Sequence, residues 1–434
     1  MRQSPSSLGR ELRAGRRPEL AAVLLDAIRN QKPIPMARQI FVNRTLRMES
    51  IRTIGFDLDW TLADYRRQPL EELTFQLTVE RLIQHHGYPE TIRQAELRPN
   101  FPRRGLLIDK EAGTVLRMNR HRYVNLAYHG RERLDRRELK RLYRYEPIQP
   151  SSRRFYHLDS LFELPEANLY AELIELATRS GTDALPSSWQ IFDDVRAAID
   201  WVHGHGSLKS SVMTDLGRYL QPDPEIGLAL LRLALGGRRL ILLTNSEWHY
   251  ADAICSFLFD GLLPGLSRWR ELFDLVLVRS CKPDFFRSNQ PFVELTADGR
   301  EAASSPVPAW GGIYENGSLG GLMQLIGEPG ERVLYVGDHI YGDIVSSKLE
   351  STWRTALIVR ELETEIARRQ ELDDEFRHGR QLKTTLTELG YDMDHLRDVL
   401  SLIQQQADHE DGPGRAERED VENRLRQIVA RHRR

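Results

Sequence analysis

Residues 51–65 read IRTIGFDLDWTLADY, and this stretch decides the fold. Ile51–Phe56 is an apolar, partly β-branched run, and two carboxylates, Asp57 and Asp59, follow at once. Aspartate is a poor strand residue and close like charges repel, so the pair marks the end of a buried strand and the start of a functional loop. A cation and a phosphate ester are the candidates that would offset the repulsion.

Three later stretches have the same form. RRLILLTNSEWHYADAICSFLF runs from an expected strand to Thr244, Asn245 and Ser246 and then into a helix. LFDLVLVRSCKPDFF runs from a strand to Lys282 and Pro283. ERVLYVGDHIYGDIVSSK runs from a strand to Gly337 and Asp338 and then into a helix. In each, the polar residues stand at the C-terminal end of the strand, the edge at which open α/β sheets bind ligands. The expected fold is therefore α/β, a doubly wound parallel-sheet core, with 356–359 as a further strand.

Between the first strand and the second lie roughly 180 residues, far more than an ordinary crossover. Helical periods such as EELTFQLTVERLIQHHGYP and FDDVRAAIDWVHGHG fall here, as does GLLIDKEAGTVLRMN, a hairpin turning at Ala112 and Gly113. The expected division has an N-terminal arm or surface helix over 1–45 and a discontinuous catalytic core over 46–80 and 220–362. An α+β cap is inserted over 81–219, and a charged helical extension occupies 363–434. Within that extension, ADHEDGPGRAERED reads as a linker and VENRLRQIVARHRR as a terminal helix.

Composition narrows the classes. The chain has 434 residues, 40% of them hydrophobic, and a formal net charge of −2, so there is no overall bias toward nucleic acid or membrane surfaces. Cys255 and Cys281 are the only cysteines. That excludes a disulfide framework and suits a reducing cytoplasm. No apolar run approaches the ~18–20 residues of a membrane span. The arginine-rich start also carries Glu11, Glu19 and Asp26 and lacks an apolar targeting core, so it is read as a surface element.

The Asp57–Thr61 stretch begins like a calcium loop, but Leu62 stands where glycine is needed and Gln68 where glutamate should be. An acidic turn capping a helix is the bland alternative. The chemical reading is an aspartyl-phosphate enzyme, in which Asp57 attacks phosphorus while Asp59 donates a proton to the leaving oxygen and later takes one from water. Such chemistry needs magnesium, which binds through one or two carboxylates and neutralises phosphoryl oxygens. Asp338 and Asp343 supply further carboxylates, the Thr244 hydroxyl and helix N-terminal amides supply donors, and Lys282 supplies the counter-charge. No G-x-G-x-x-G follows a strand and no G-x-x-x-x-G-K-[ST] occurs, which leaves dinucleotide and P-loop readings without support.

These four segments resemble motifs I to IV of the haloacid dehalogenase superfamily. More narrowly, IFVNRTLRMESIRTIGFDLDWTLADY, DVRAAIDWVHGHGSLK, TNSEWHYADAI, KPDFF and VLYVGDHIYGDIVSSK resemble the cytosolic purine 5'-nucleotidases that prefer IMP and GMP, from about Phe41 to Glu361. The resemblance implies a magnesium-dependent nucleotidase. Asp57 matches the nucleophile and a metal ligand, Asp59 the acid/base with its backbone carbonyl on the metal, Asp338 the third ligand, and Asp343 a support to the metal shell. Thr244, Asn245, Ser246 and Lys282 match the phosphate site. Arg196, Asp200 and Lys209 fall on positions that hold base, ribose or phosphate, with His203 close by. The expected substrate is a nucleoside monophosphate, with no nucleic-acid polymer and no membrane as partner, and the protein is expected to be a cytoplasmic homo-oligomer.

The stretch 192–203 has its own bottom-up reading. Phe192, Val195, Ile199 and Val202 form a helical stripe for burial, beside which Arg196, Asp200 and His203 line up. There is also a departure: the family places a purine-stacking aromatic after an HG pair, whereas AYHGRERL puts Arg131 there. A guanidinium also stacks on a base, and Tyr128 is the other candidate. Three alternatives share the sequence signals in part: a phosphatase of the same superfamily acting on another ester, a nucleoside phosphotransferase, and a catalytically idle assembly protein.

Overall fold

The computed structural model describes residues 7–31, 33–42, 45–144, 147–180, 185–406 and 415–432. It divides into two compact units, Met1–Lys32 with Val42–Ile358, and Pro33–Phe41 with Val359–Arg434.

The first unit is built on an eight-stranded sheet. Its strands are β1 (Thr53–Phe56), β7 (Arg239–Leu243), β8 (Leu275–Val278), β9 (Phe292–Leu295), β10 (Glu301–Ser305), β11 (Ile313–Asn316), β12 (Val333–Gly337) and β13 (Arg354–Leu357), in the order β10-β9-β11-β8-β7-β1-β12-β13. From β11 to β13 every neighbouring pair is parallel; β9 and β10 add an antiparallel edge. Along β7, Leu240 and Leu242 enter one core while Ile241 and Leu243 enter the core on the opposite face. This period-two split is what a sheet covered on both faces requires. β1 lies between β7 and β12, where the strand order reverses, and its C-terminal end opens on that crevice. Gly55 sits beside Tyr335 across the β1–β12 pair, and a Cβ there would meet the Tyr335 ring at 2.9 Å. Glycine is what lets the two strands carry so large a side chain between them.

The long segment between β1 and β7 holds a second sheet. β2 (Leu107–Asp109), β3 (Thr114–Met118), β4 (Val124–His129), β5 (Glu132–Arg133) and β6 (Phe155–His157) pair antiparallel in the order β5-β4-β3-β2-β6. The β2–β3 hairpin turns through Ala112 and Gly113, the expected place. Helices α1 (Arg67–His86), α2 (Leu164–Ser180) and α3 (Ser188–Gly204) share a core with it, through Phe75, Leu82, Leu173, Ile191 and Ile108 among others. The expected stripe on α3 is buried at all four positions. Beyond it come α4 (Ser207–Thr214) and, after β7, α5 (Trp248–Phe259).

Three details of this first unit differ from the sequence reading. The last strand is Arg354–Leu357, two residues earlier than expected. After β12 the chain first makes one wide π-type turn, Ile340–Val345, and only then a short helix, Ser346–Glu350. The N-terminal helices Ser7–Arg13 and Pro18–Arg29 bury Leu8, Leu12, Leu20 and Leu24 in the main core, so their inner faces are structural rather than surface.

The second unit is helical: α6 (Arg360–Glu371), α7 (Asp373–Gln406) and α8 (Arg415–His432), with α8 packed back along α7. The 407–414 part of the expected linker lies outside the described residues, and its 415–420 part is helical, so α8 begins at Arg415 rather than at the expected Val421. Among the described residues no helix is long and apolar enough to cross a membrane.

Candidate active site

The parallel ladder delivers Asp57 to the sheet edge: its N–H donates to the Val336 carbonyl at 2.9 Å. There the carbonyl of Leu58 accepts the N–H groups of Thr61, Leu62 and Ala63, coiling the loop tightly, and Trp60 takes a left-handed φ of 57°. Trp60 is buried against Tyr65 and Phe162, with ring centroids 5.2 and 6.0 Å away. Phe162 belongs to the inserted segment, so the tryptophan joins it to the core.

Lys282 organises the centre. Its Nζ donates to Asp57 Oδ1 at 2.9 Å, to Asp343 Oδ1 at 2.8 Å and to the Tyr335 hydroxyl at 2.6 Å. Burial alone would lower the lysine's pKa, but the charges of Asp343 and Asp57 outweigh it and raise the net value. Asn245 fixes the lysine from behind. Its side-chain carbonyl accepts from the Lys282 N–H at 2.6 Å and from the Ser280 hydroxyl at 3.1 Å, while its amide donates to the Lys282 carbonyl at 2.9 Å. Asn245, read in the sequence as a phosphate-site residue, thus has its side chain engaged with the lysine loop. The Thr244 hydroxyl accepts the Ser246 N–H at 3.0 Å, at the entrance to α5.

Asp57, Asp338 and Asp343 are all buried, and each offers a carboxylate oxygen within 4.8 Å of the others. Burial raises the Asp57 pKa most; Lys282 opposes it, and Asp343 and Asp59 add to it. Asp338 is pushed up to about 8 by burial and then by Asp57 and Asp343, with Arg104 opposing. Three crowded carboxylates around one buried ammonium are an oxygen donor set with excess negative charge, which fits a hard divalent cation. Gly337 is part of the fit, because a Cβ there would stand 2.4 Å from Asp343 Oδ2. The His339 N–H holds that same oxygen at 3.1 Å.

The Asp59 side chain faces elsewhere. Its Oδ1 accepts from the Tyr65 hydroxyl at 2.6 Å and its Oδ2 from the Ser246 hydroxyl at 2.6 Å. Tyr65 in turn meets the Tyr250 hydroxyl at 2.8 Å, and Lys209, on α4, lies 5.4 Å over the Tyr250 ring. Arg104, from the inserted segment, donates to the Asp338 carbonyl at 3.0 Å, with its guanidinium 4.0 Å from the carboxylate.

A second polar group lies along α3. Arg196 bonds Asp200 at 2.9 Å, Glu166 at 2.8 Å and the Tyr156 hydroxyl at 2.5 Å. Glu166 is fully buried, and burial pushes its pKa up to about 8 against the pull of Arg196. His203 packs edge-on to Phe162 at 5.5 Å, and burial and then Arg196 push its pKa down to about 4. Arg131 is engaged by Glu172 and by the Glu96 carbonyl, and Tyr128 stands edge-on to Phe101 at 5.5 Å.

Sequence reasoning did not single out Tyr65, Tyr250, Tyr335, Arg104, Tyr156 or Glu166. Tyr335 occupies an apolar alternation in VLYVG and reads as core. Arg104 had one signal, a basic pair placed directly before an apolar strand.

A model of the 5' nucleotidase family matches residues 40–434. A 5'-nucleotidase domain-containing protein of Dictyostelium discoideum is 31% identical over 367 residues, covering 79% of this chain and 60% of the relative. The chain thus spans less than two thirds of the length of that relative. On the extent of the family match, and with the loop carboxylates and lysine in one cluster, the chain belongs to the 5' nucleotidase family.

Proposed function

We propose that the chain is a cytoplasmic, magnesium-dependent 5'-nucleotidase that hydrolyses purine nucleoside 5'-monophosphates, IMP and GMP foremost. In this reading 46–80 and 220–362 form a catalytic core of the haloacid dehalogenase type and 81–219 its cap. The observation that carries it is the joint placement of Asp57 on Lys282 and of Asp59 between Tyr65 and Ser246, at the end of one strand.

Asp57, Asp338 and Asp343 would hold the metal, with the Asp59 backbone carbonyl, and the bound cation would draw negative charge from the phosphoryl oxygens. A carboxylate oxygen of Asp57 forms the bond to phosphorus as the bond to the nucleoside 5'-oxygen breaks. Asp59 gives its proton to that oxygen. Water then attacks the phosphorus of the aspartyl-phosphate, Asp59 takes a proton from it, and phosphate leaves with Asp57 restored. Lys282 remains cationic throughout and offsets charge on Asp57 and the phosphoryl group. Thr244 and the amides entering α5 are the phosphate donors, and Arg196, Asp200, His203 and Lys209 face the nucleoside. Arg131, paired with Glu172, is the guanidinium on which a purine would stack, and Tyr128 is the other candidate.

The test is phosphate release with magnesium from IMP, GMP, AMP, a pyrimidine nucleotide and a sugar phosphate, with the Asp57→Asn protein as blank. Release from IMP and GMP well above the others is expected. Release from the sugar phosphate alone would keep the core chemistry and overturn the cap assignment.

A further inference from the structure

The face of α7 between its N-terminus and the end of α8 is apolar and exposed. Phe376, Leu382 and Leu386, with Leu372 just before the helix, are each about half exposed, whereas Leu389, one turn further on, is buried. A 3.6-residue period puts Leu372, Phe376, Leu382 and Leu386 within about 60° of Gly379 on the helix circumference. Gly379 has nothing within 4 Å of where a Cβ would stand. Glycine is unfavourable inside an exposed helix, and without a Cβ at Gly379 the middle of this apolar face leaves room for close approach by another backbone.

The sequence about Gly379 is self-complementary. Leu372 and Leu386 are equidistant from it, as are Phe376 and Leu382, and so are Glu375 and Lys383. Reversing the direction of a second copy and crossing it at Gly379 therefore sets leucine against leucine, phenylalanine against leucine, and glutamate against lysine twice. A two-fold interface requires this property, because each position must meet its own mirror position.

From this pattern we infer that a second copy of the chain covers this face, the two α7 helices crossing antiparallel with Gly379 at the two-fold axis. The symmetric Glu375–Lys383 pairs fix the direction. In a parallel pair Glu375 would meet Glu375 and Lys383 would meet Lys383, like against like.

The test is sedimentation velocity on the full chain with charge-reversal variants. Wild type should dimerise. E375K and K383E should each raise the dissociation constant about tenfold, since two attractive pairs become repulsive ones. The E375K/K383E double variant, which restores both pairs, should return near wild type. Gly379→Leu should strengthen the isolated helix yet weaken the dimer, two effects of opposite sign that a folding defect would not produce. Circular dichroism checks that each variant folds. A monomeric wild-type chain would assign the face to a different protein and overturn the inference. Single reversals without effect, or a double variant weaker than either single, would remove the antiparallel contact.

Discussion

The Tyr65 hydroxyl donates to Asp59 Oδ1 at 2.6 Å, while Ser246 holds the other oxygen at the same distance. Two donors on two oxygens leave the carboxylate little rotation about χ2. Tyr65 is therefore a positioning residue for the proposed acid. General acid–base catalysis contributes ~10²–10⁴-fold, and Tyr65→Phe should forfeit about tenfold or more of it in kcat with nucleotides. With an aryl phosphate whose leaving group needs no proton, the defect should shrink. Equal losses on both substrates would assign Tyr65 to structure alone.

Asp338 stands in a cluster that is over-supplied with negative charge. Asp338→Asn should leave the chelated protein at least as stable as wild type. Magnesium at a hundredfold above its dissociation constant adds about 2.7 kcal/mol to a protein that binds it only when folded, and the variant should lack that increment. Thermal melts with and without magnesium make the comparison; an unchanged increment in the variant would remove Asp338 from the metal site.

Lys282 is the one buried ammonium on Asp57 and Asp343 among the described residues. Lys282→Met leaves two carboxylates buried without it and should cost about 3–5 kcal/mol. Combining it with Asp343→Asn should recover part of the stability and none of the activity. Chemical denaturation of both variants is the measurement, and a single variant as stable as wild type would contradict the electrostatic account.

Arg196 holds the fully buried Glu166 as well as Asp200. Arg196→Ala should therefore raise KM for nucleotides and also destabilise the fold, toward the lower end of ~3–5 kcal/mol because the guanidinium is partly exposed. Adding Glu166→Gln should restore stability and leave the KM defect. If KM recovered with stability, Arg196 would act only as a structural partner.

His203 gives a pH dependence of known sign. Its folded pKa, about 4, lies below its ordinary 6.5, so the unfolded chain binds its proton first as pH falls. The contribution is complete above about 6.5 and is lost as pH drops toward about 4. Arg196, Asp200 and Lys209 are the charged groups that act on it. Against wild type, His203→Gln should lose less stability between pH 7 and 5, as read from unfolding midpoints. Parallel pH curves for the two proteins would contradict this.

The strand ends were legible because their chemistry is local. Asp57 and Asp338 directly follow apolar runs, Asp59, Lys282 and Asp343 stand in the loops just beyond such runs, and parallel pairing brings these strand ends to one edge whatever the intervening loops. The antiparallel β9–β10 edge was not legible, since Glu301–Ser305 has the pattern of a loop and is a strand only through its pairing with Phe292–Leu295. The tyrosines around the carboxylates were not legible either. Tyr65 finds Asp59 through a turn, Tyr250 finds Tyr65 across the fold, and Tyr335 reaches Lys282 from a core strand. Such contacts depend on tertiary packing, for which one sequence carries no periodic signal. Asn245 illustrates the converse: its motif position is plain, but its side-chain bonds to Lys282 are not.

The central claim is that Asp57 takes the phosphoryl group. The direct measurement is a rapid acid quench of the enzyme during turnover of a nucleotide carrying radiolabelled phosphate, followed by peptide mapping. The account predicts label on the peptide that contains Asp57, labile as an acyl-phosphate and absent from Asp57→Asn. Steady release of phosphate from the nucleotide with no label trapped on that peptide, and near-normal turnover by Asp57→Asn, would contradict it.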